Sequence, residues 1–119
     1  MITIYHNPRC SKSRGAYELV TQACNAANEP LEVIEYLKTP PSVEQLKALN
    51  ALLSCPLREM IRTGETEYKD LGLDSPEVTD TQLYETIASH PVLLQRPIVV
   101  RNGRAVIGRP PENVEALFT

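Results

Sequence analysis

Ile98-Val99-Val100 and Ala105-Val106-Ile107 flank Asn102-Gly103 near the C-terminal end of the chain. This stretch constrains the backbone most, because a two-residue type I′ turn needs positive φ at both central positions, which Asn and Gly tolerate best. It predicts an antiparallel hairpin. Strand-like runs recur at the other end of the chain. Ile2 to Tyr5 reads as a short buried strand closed by the turn signal Asn7-Pro8, and Leu31, Val33 and Ile34 read as a second strand. Between them the apolar period changes: Ala16, Leu19, Val20, Ala23, Cys24 and Ala27 fall on one stripe of a helix that starts near Ser11 and ends at Asn28-Glu29-Pro30. A strand, a helix and a strand in this order predict parallel strands joined by a right-handed crossover.

From about residue 40 to 95 the signals are helical. Ser42 with Gln45 and Thr79 with Gln82 form capping boxes, each opening a helix. Pro56 is placed to start another, and Gly72 to close a short turn of helix. Pro110 and Pro111 open a last helix through Val114 and Leu117. The order is βαβ, helical insert, ββα, which is that of an α/β thioredoxin-like fold with a mixed four-stranded sheet, and the length of 119 residues suits one domain, residues 1–119.

Hydrophobic residues are 42% and charged residues 23% of the chain, ordinary for a globular protein, and no apolar run reaches the roughly 20 residues of a membrane helix. The N-terminus carries no signal-peptide pattern, so the expected location is cytoplasmic. The net charge of −3 is uneven: residues 18–95 hold five cations against thirteen acids, while the two ends are rich in arginine. If the ends meet, they make a positive site suited to a small anion. A pI near 5.4 and few aromatics argue against nucleic acid as a partner.

Three cysteines, Cys10, Cys24 and Cys55, form neither a CxxC pair nor a zinc spacing. Cys24 lies on the apolar stripe and reads as core, and Cys55 sits at an interhelical junction. Cys10 differs. It follows a strand and a turn, begins a helix, and has the polar neighbours Arg9, Ser11, Lys12 and Ser13. Unpaired N–H groups and the positive end of the helix dipole favour its thiolate. Lowering a thiol pKa from about 8.5 to about 6.5 takes roughly 2.7 kcal/mol, more than a helix end supplies, so cations must help. Arg9, Lys12 and Arg14 are close in sequence, His6 is a candidate to orient or support the thiolate, and Ser11 and Ser13 are candidate donors or helix caps. Because position 13 is serine, no disulfide can close across the motif, and turnover needs an external thiol.

His6 to Arg14, HNPRCSKSR, resembles the signature of the glutaredoxin-dependent arsenate reductase (ArsC) family, and more closely its YfgD-like branch. REMIRTGETEYKDLGL, HPVLLQRPIVV and IGRPPENV extend the resemblance over essentially the whole chain. It implies a thioredoxin-like fold, Cys10 as nucleophile, and Arg62, Arg96 and Arg109 around an oxyanion. It also implies a cis bond before Pro97. Arg96 and Arg109 bracket the hairpin, and guanidinium forks suit tetrahedral oxyanions. Arg58, Arg101 and Arg104 read instead as solvated surface residues.

The activity implied is reduction of arsenate through a thiol-arsenate adduct on Cys10, with glutathione as co-substrate and glutaredoxin as partner, and with no metal or bound organic cofactor. Two other readings use the same fold: a redox regulator similar to Spx that binds RNA polymerase, disfavoured by Ser13, and a thiol oxidoreductase acting on glutathionylated proteins. One departure concerns substrate. In the better-known arsenate reductases Gly-Thr typically follows the cysteine, whereas Ser11-Lys12 follows here.

Overall fold

The computed structural model describes residues 1–118. Its contacts divide the chain into two compact units, one of residues 1–39 with 96–119 and one of residues 40–95.

The first unit holds β1 (Ile2–His6), α1 (Ser11–Ala27), β2 (Leu31–Glu35), β3 (Ile98–Arg101) and β4 (Arg104–Ile107), followed by a 3₁₀ segment, Pro111–Phe118. The sheet order is β2-β1-β3-β4, with β1 and β2 parallel and the β1–β3 and β3–β4 pairs antiparallel. This is the mixed four-stranded sheet of a thioredoxin-like fold. The hairpin turn forms on Asn102 and Gly103 at φ 50° and 75°, the positive values that made this pair the strongest turn signal. Alternate burial along β1 turns Ile2, Ile4 and His6 inward. Ile2, Ile4 and Val99 form one core with Ala16, Val20 and Cys24 of α1 and with Val114 and Leu117 of the last segment. The isoleucine, valine and leucine side chains among them contribute about 1.5–3 kcal/mol each when fully buried. α1 stops at Asn28, whose left-handed φ of 55° turns its N–H back to the carbonyls of Asn25 and Cys24.

Register brings the loops that carry the candidate site residues to one end of the sheet. Tyr5 pairs with Ile98 and Ile98 with Ile107. The segments after β1, before β3 and after β4 therefore leave the sheet together, carrying Cys10, Arg96 and Arg109.

The second unit contains α2 (Val43–Leu53), α3 (Thr66–Asp70) and α4 (Asp80–Ser89), with 3₁₀ segments at Leu57–Met60 and Pro91–Leu93. Both capping boxes form: Ser42 accepts from the N–H of Gln45, Thr79 from that of Gln82, and each glutamine side chain accepts the N–H of its cap residue. Leu46, Leu49, Leu83 and Ile87 of α2 and α4 are buried. An antiparallel bridge between Ile61 and Leu94 was not anticipated. Pro56 opens a single 3₁₀ turn, and the segment after Pro110-Pro111 is also 3₁₀. The expected helices are thus shorter or tighter, because a few buried side chains, Leu57 with Met60 and Val114 with Leu117, fix each segment at three-residue spacing.

Of the three arginines expected to be solvated, Arg104 is exposed as expected, whereas Arg58 and Arg101 are part-buried and structural. Arg58 donates to the Tyr68 hydroxyl at 2.6 Å and the Leu73 carbonyl at 2.7 Å. Arg104 reaches the Ala116 carbonyl at 2.8 Å. Arg101 pairs with Glu29, donates to the Leu117 carbonyl at 2.7 Å and lies over the Phe118 ring at 4.5 Å. Sequence neighbours alone do not reveal such long-range acceptors. Among the described residues no helix is long and apolar enough to cross a membrane.

Candidate active site

Asn7 to Cys10 forms a turn held at both ends. The Asn7 side-chain oxygen accepts the Arg9 N–H at 3.0 Å, and the Asn7 carbonyl accepts the Cys10 N–H at 3.1 Å. Arg14 donates to the Pro8 carbonyl at 3.0 Å, tying the first helical turn to the loop. Behind the loop, Ser13 is fully buried, accepts the Asn7 N–H at 3.0 Å and meets His6 Nδ1 at 2.7 Å. The His6 ring stacks on Tyr17, with centroids 5.0 Å apart. Burial pushes the His6 pKa down, Glu35 opposes this, and Arg14 adds to it. His6 is thereby kept neutral at pH 7 and braces the loop through Ser13; it does not supply a cation to the thiolate.

Cys10 is the N-cap of α1, with extended φ and ψ of −96° and 124° and a partly exposed side chain. Partial burial pushes its pKa up, but the opposing influences win: the Ser13 N–H, the hydrogen-bonding and charged Arg96 guanidinium, and the Lys12 N–H. The net shift of the thiol pKa is downward from its ordinary value. Helix-end N–H groups were anticipated as one cause, whereas the cation that contributes is Arg96 and not the sequence neighbours Arg9, Lys12 or Arg14. Ser11 is exposed and occupies the first helical position, so neither it nor Ser13 caps the helix by its side chain. Cys24 and Cys55 shift the other way. Burial raises both, and Glu29 or Glu59 adds to the rise, so neither is a ready thiolate at neutral pH.

Arg96 stands just before β3, and its Nε is buried without a hydrogen-bond partner among the described residues. Leaving a buried donor unmade costs about 1–3 kcal/mol, more for a charged group. An incoming anion is the kind of acceptor that would recover it. Arg109 follows β4 at the same end of the sheet, and its carbonyl accepts from the Asn113 side chain at 3.1 Å. The Arg96-Pro97 bond is cis, as the resemblance implied. Arg62 belongs to the second unit, where it is ion-paired to Glu65 and its backbone N–H donates to the Leu93 carbonyl at 2.7 Å.

The ArsC family model matches residues 5–117. The chain belongs to the ArsC family. It is 49% identical to the arsenate reductase of Neisseria meningitidis serogroup A over 118 residues, 98% of this chain and 97% of that one. It is 44% identical to Escherichia coli YfgD over 114 residues, covering 95% of this chain and 92% of YfgD. The solved arsenate reductase from Vibrio cholerae superposes with a TM-score of 0.90 at 44% identity, covering 98% of this chain and 96% of that chain.

In this ArsC member two features of the site escaped the sequence reading. The Arg109-Pro110 bond is also cis, so Arg96 and Arg109 each precede a cis proline. Gly108 is the other. A Cβ there would meet Pro97 Cγ at 3.0 Å and Ala16 Cβ and Val114 Cγ1 at 3.3 Å. Its N–H donates to the Pro97 carbonyl at 2.8 Å. A side chain there would be packed more tightly than ordinary contact, so glycine suits the close approach of the strand before Arg109 to the Arg96-Pro97 segment. The sequence signal was a glycine directly between a strand and Arg-Pro-Pro.

Proposed function

We propose that this chain is an arsenate reductase that draws its electrons from glutathione and glutaredoxin. The observation that carries the reading is the Arg96 side chain: it favours the Cys10 thiolate while its buried Nε lacks an acceptor. A thiolate beside an unsatisfied guanidinium suits a nucleophile facing a tetrahedral oxyanion. Relatives named arsenate reductase match nearly the full length of the chain.

The Cys10 thiolate attacks arsenic(V), an arsenate oxygen leaves as water after protonation, and a sulfur–arsenic bond forms without change of oxidation state. Arg96 and Arg109 hold the remaining oxygens. A glutathione thiolate then attacks Cys10 Sγ. The sulfur–arsenic bond breaks with its electron pair left on arsenic, which departs as arsenite, and a Cys10–glutathione disulfide remains. Glutaredoxin's thiolate takes the glutathionyl group and returns Cys10 as thiolate. With Ser13 in place of a second cysteine, the second electron-donating thiol has to come from outside. That supply places the reaction in a reducing compartment, the cytoplasm. The family resemblance adds Arg62 to the oxyanion ligands, which Arg62→Gln tests through the KM for arsenate.

The test is arsenite production in the presence of glutathione and glutaredoxin. Turnover by the wild-type chain that vanishes in Cys10→Ser is expected, and stops when either reductant is omitted. Turnover that survives Cys10→Ser contradicts the reading. Reduction of glutathionylated proteins unaffected by Arg96→Gln or Arg109→Gln, with no arsenite formed, would replace it with a general thiol oxidoreductase.

A further inference from the structure

A pocket of about 240 Å³ opens beside the Cys10 loop, lined by His6, Asn7 and Arg9 on one wall and Glu35, Leu37 and Lys38 on the other. Both walls are set by backbone turns. The Arg9 N–H is held by the Asn7 side chain at 3.0 Å, and the N–H groups of Lys38 and Thr39 both donate to the Glu35 carbonyl, at 2.9 and 3.0 Å. The shape is therefore present before any ligand arrives.

Two cations face one carboxylate around this pocket. Lys38 approaches Glu35 at 3.5 Å, but the side chains are 77% and 39% exposed, and exposed pairs of this kind are weak enough to open for a better partner. Arg9 is exposed, and its guanidinium has no ion-pair partner among the described residues. Leu37, 43% exposed, supplies an apolar wall. A ligand with excess carboxylate charge and a short aliphatic stem complements this lining.

We propose that the pocket seats a carboxylate arm of the external thiol, glutathione, on Arg9 and Lys38, and so presents its sulfur to Cys10, the residue directly after Arg9. This deepens the reading of Cys10 as a thiol served from outside and rests on it. The volume is below the roughly 300–1,000 Å³ that encloses a whole small ligand. It takes one arm of the tripeptide and leaves the cysteinyl sulfur at the mouth.

The experiment needs no arsenate. Glutathione disulfide reacts with the Cys10 thiolate to give the Cys10–glutathione disulfide and release one glutathione thiolate, and intact-mass spectrometry follows the rate. Hydroxyethyl disulfide, which has no carboxylate, undergoes the same exchange and reports thiolate reactivity alone. Arg9→Gln combined with Lys38→Gln is expected to slow the glutathione reaction about tenfold while changing the hydroxyethyl reaction less than about twofold. Added salt on the wild-type chain should give the same split without any substitution, since exposed charges are screened. Equal slowing of both disulfides, or no slowing of either, overturns the proposal. If the split is seen but arsenate is not reduced, the pocket stands and the arsenate reading falls.

Discussion

An arginine stands at one end of β3 and another just before its other end, and α1, the helix packed on the same sheet, has a cysteine near each of its ends. At one end Arg101 pairs with Glu29, donates to the Leu117 carbonyl and stacks on Phe118. The nearby Cys24 is buried in the core with its pKa raised. At the other end Arg96 keeps a buried Nε without a partner, and Cys10 is partly exposed with its pKa lowered. The residue types are the same and the chemistry is opposite. A guanidinium with protein acceptors holds the fold together, whereas one left with an unmet donor next to a thiolate is available to a ligand.

The largest effect that would sharpen this contrast is on Arg96. Arg96→Gln should lower kcat/KM for arsenate about 10²- to 10³-fold, the usual loss of one preorganised oxyanion donor. Near-wild-type kinetics would remove the functional distinction between the two ends. Gly108→Ala should destabilise the fold by about 1–3 kcal/mol through overpacking against Pro97, Ala16 and Val114, as read from urea unfolding. Ser13→Ala removes the acceptor of the Asn7 N–H and the partner of buried His6, and a cost of about 1–3 kcal/mol is expected in the same measurement. Smallest at Cys10 is the effect of Arg101→Ala, which should lower the urea midpoint yet leave the Cys10 alkylation rate unchanged. A matching drop in Cys10 reactivity would show that the two ends are coupled.

The hairpin, both capping boxes and the stripe of α1 were legible because each is a local pattern with a local cause. Asn102-Gly103 needs only its own φ values, and Ser42 and Thr79 need only the residue three positions on. Cys10 was legible for the same reason, standing between a strand and a helix. The rest depended on distant partners. Arg101 reads as solvated until Glu29 and Leu117 are brought to it, and Arg96 reads as one arginine among many until the pairing of Tyr5 with Ile98 sets it near the Cys10 loop. Gly108 looked like an ordinary strand end, because the constraint on it is the approach of Pro97 and Val114. The ArsC resemblance supplied Arg96, Arg109 and cis Pro97 where local patterns did not.

The most direct test is the pH dependence of Cys10 alkylation by iodoacetamide, followed peptide by peptide in the wild-type chain and in Arg96→Gln. The lowered pKa predicts that Cys10 reacts with a midpoint below that of a free thiol, while Cys24 and Cys55 label only above it. Arg96→Gln should move the Cys10 midpoint upward, since the guanidinium stabilises the charged form. A wild-type midpoint at the free-thiol value, or one that Arg96→Gln does not move, would contradict the claim that Arg96 prepares Cys10 for an oxyanion.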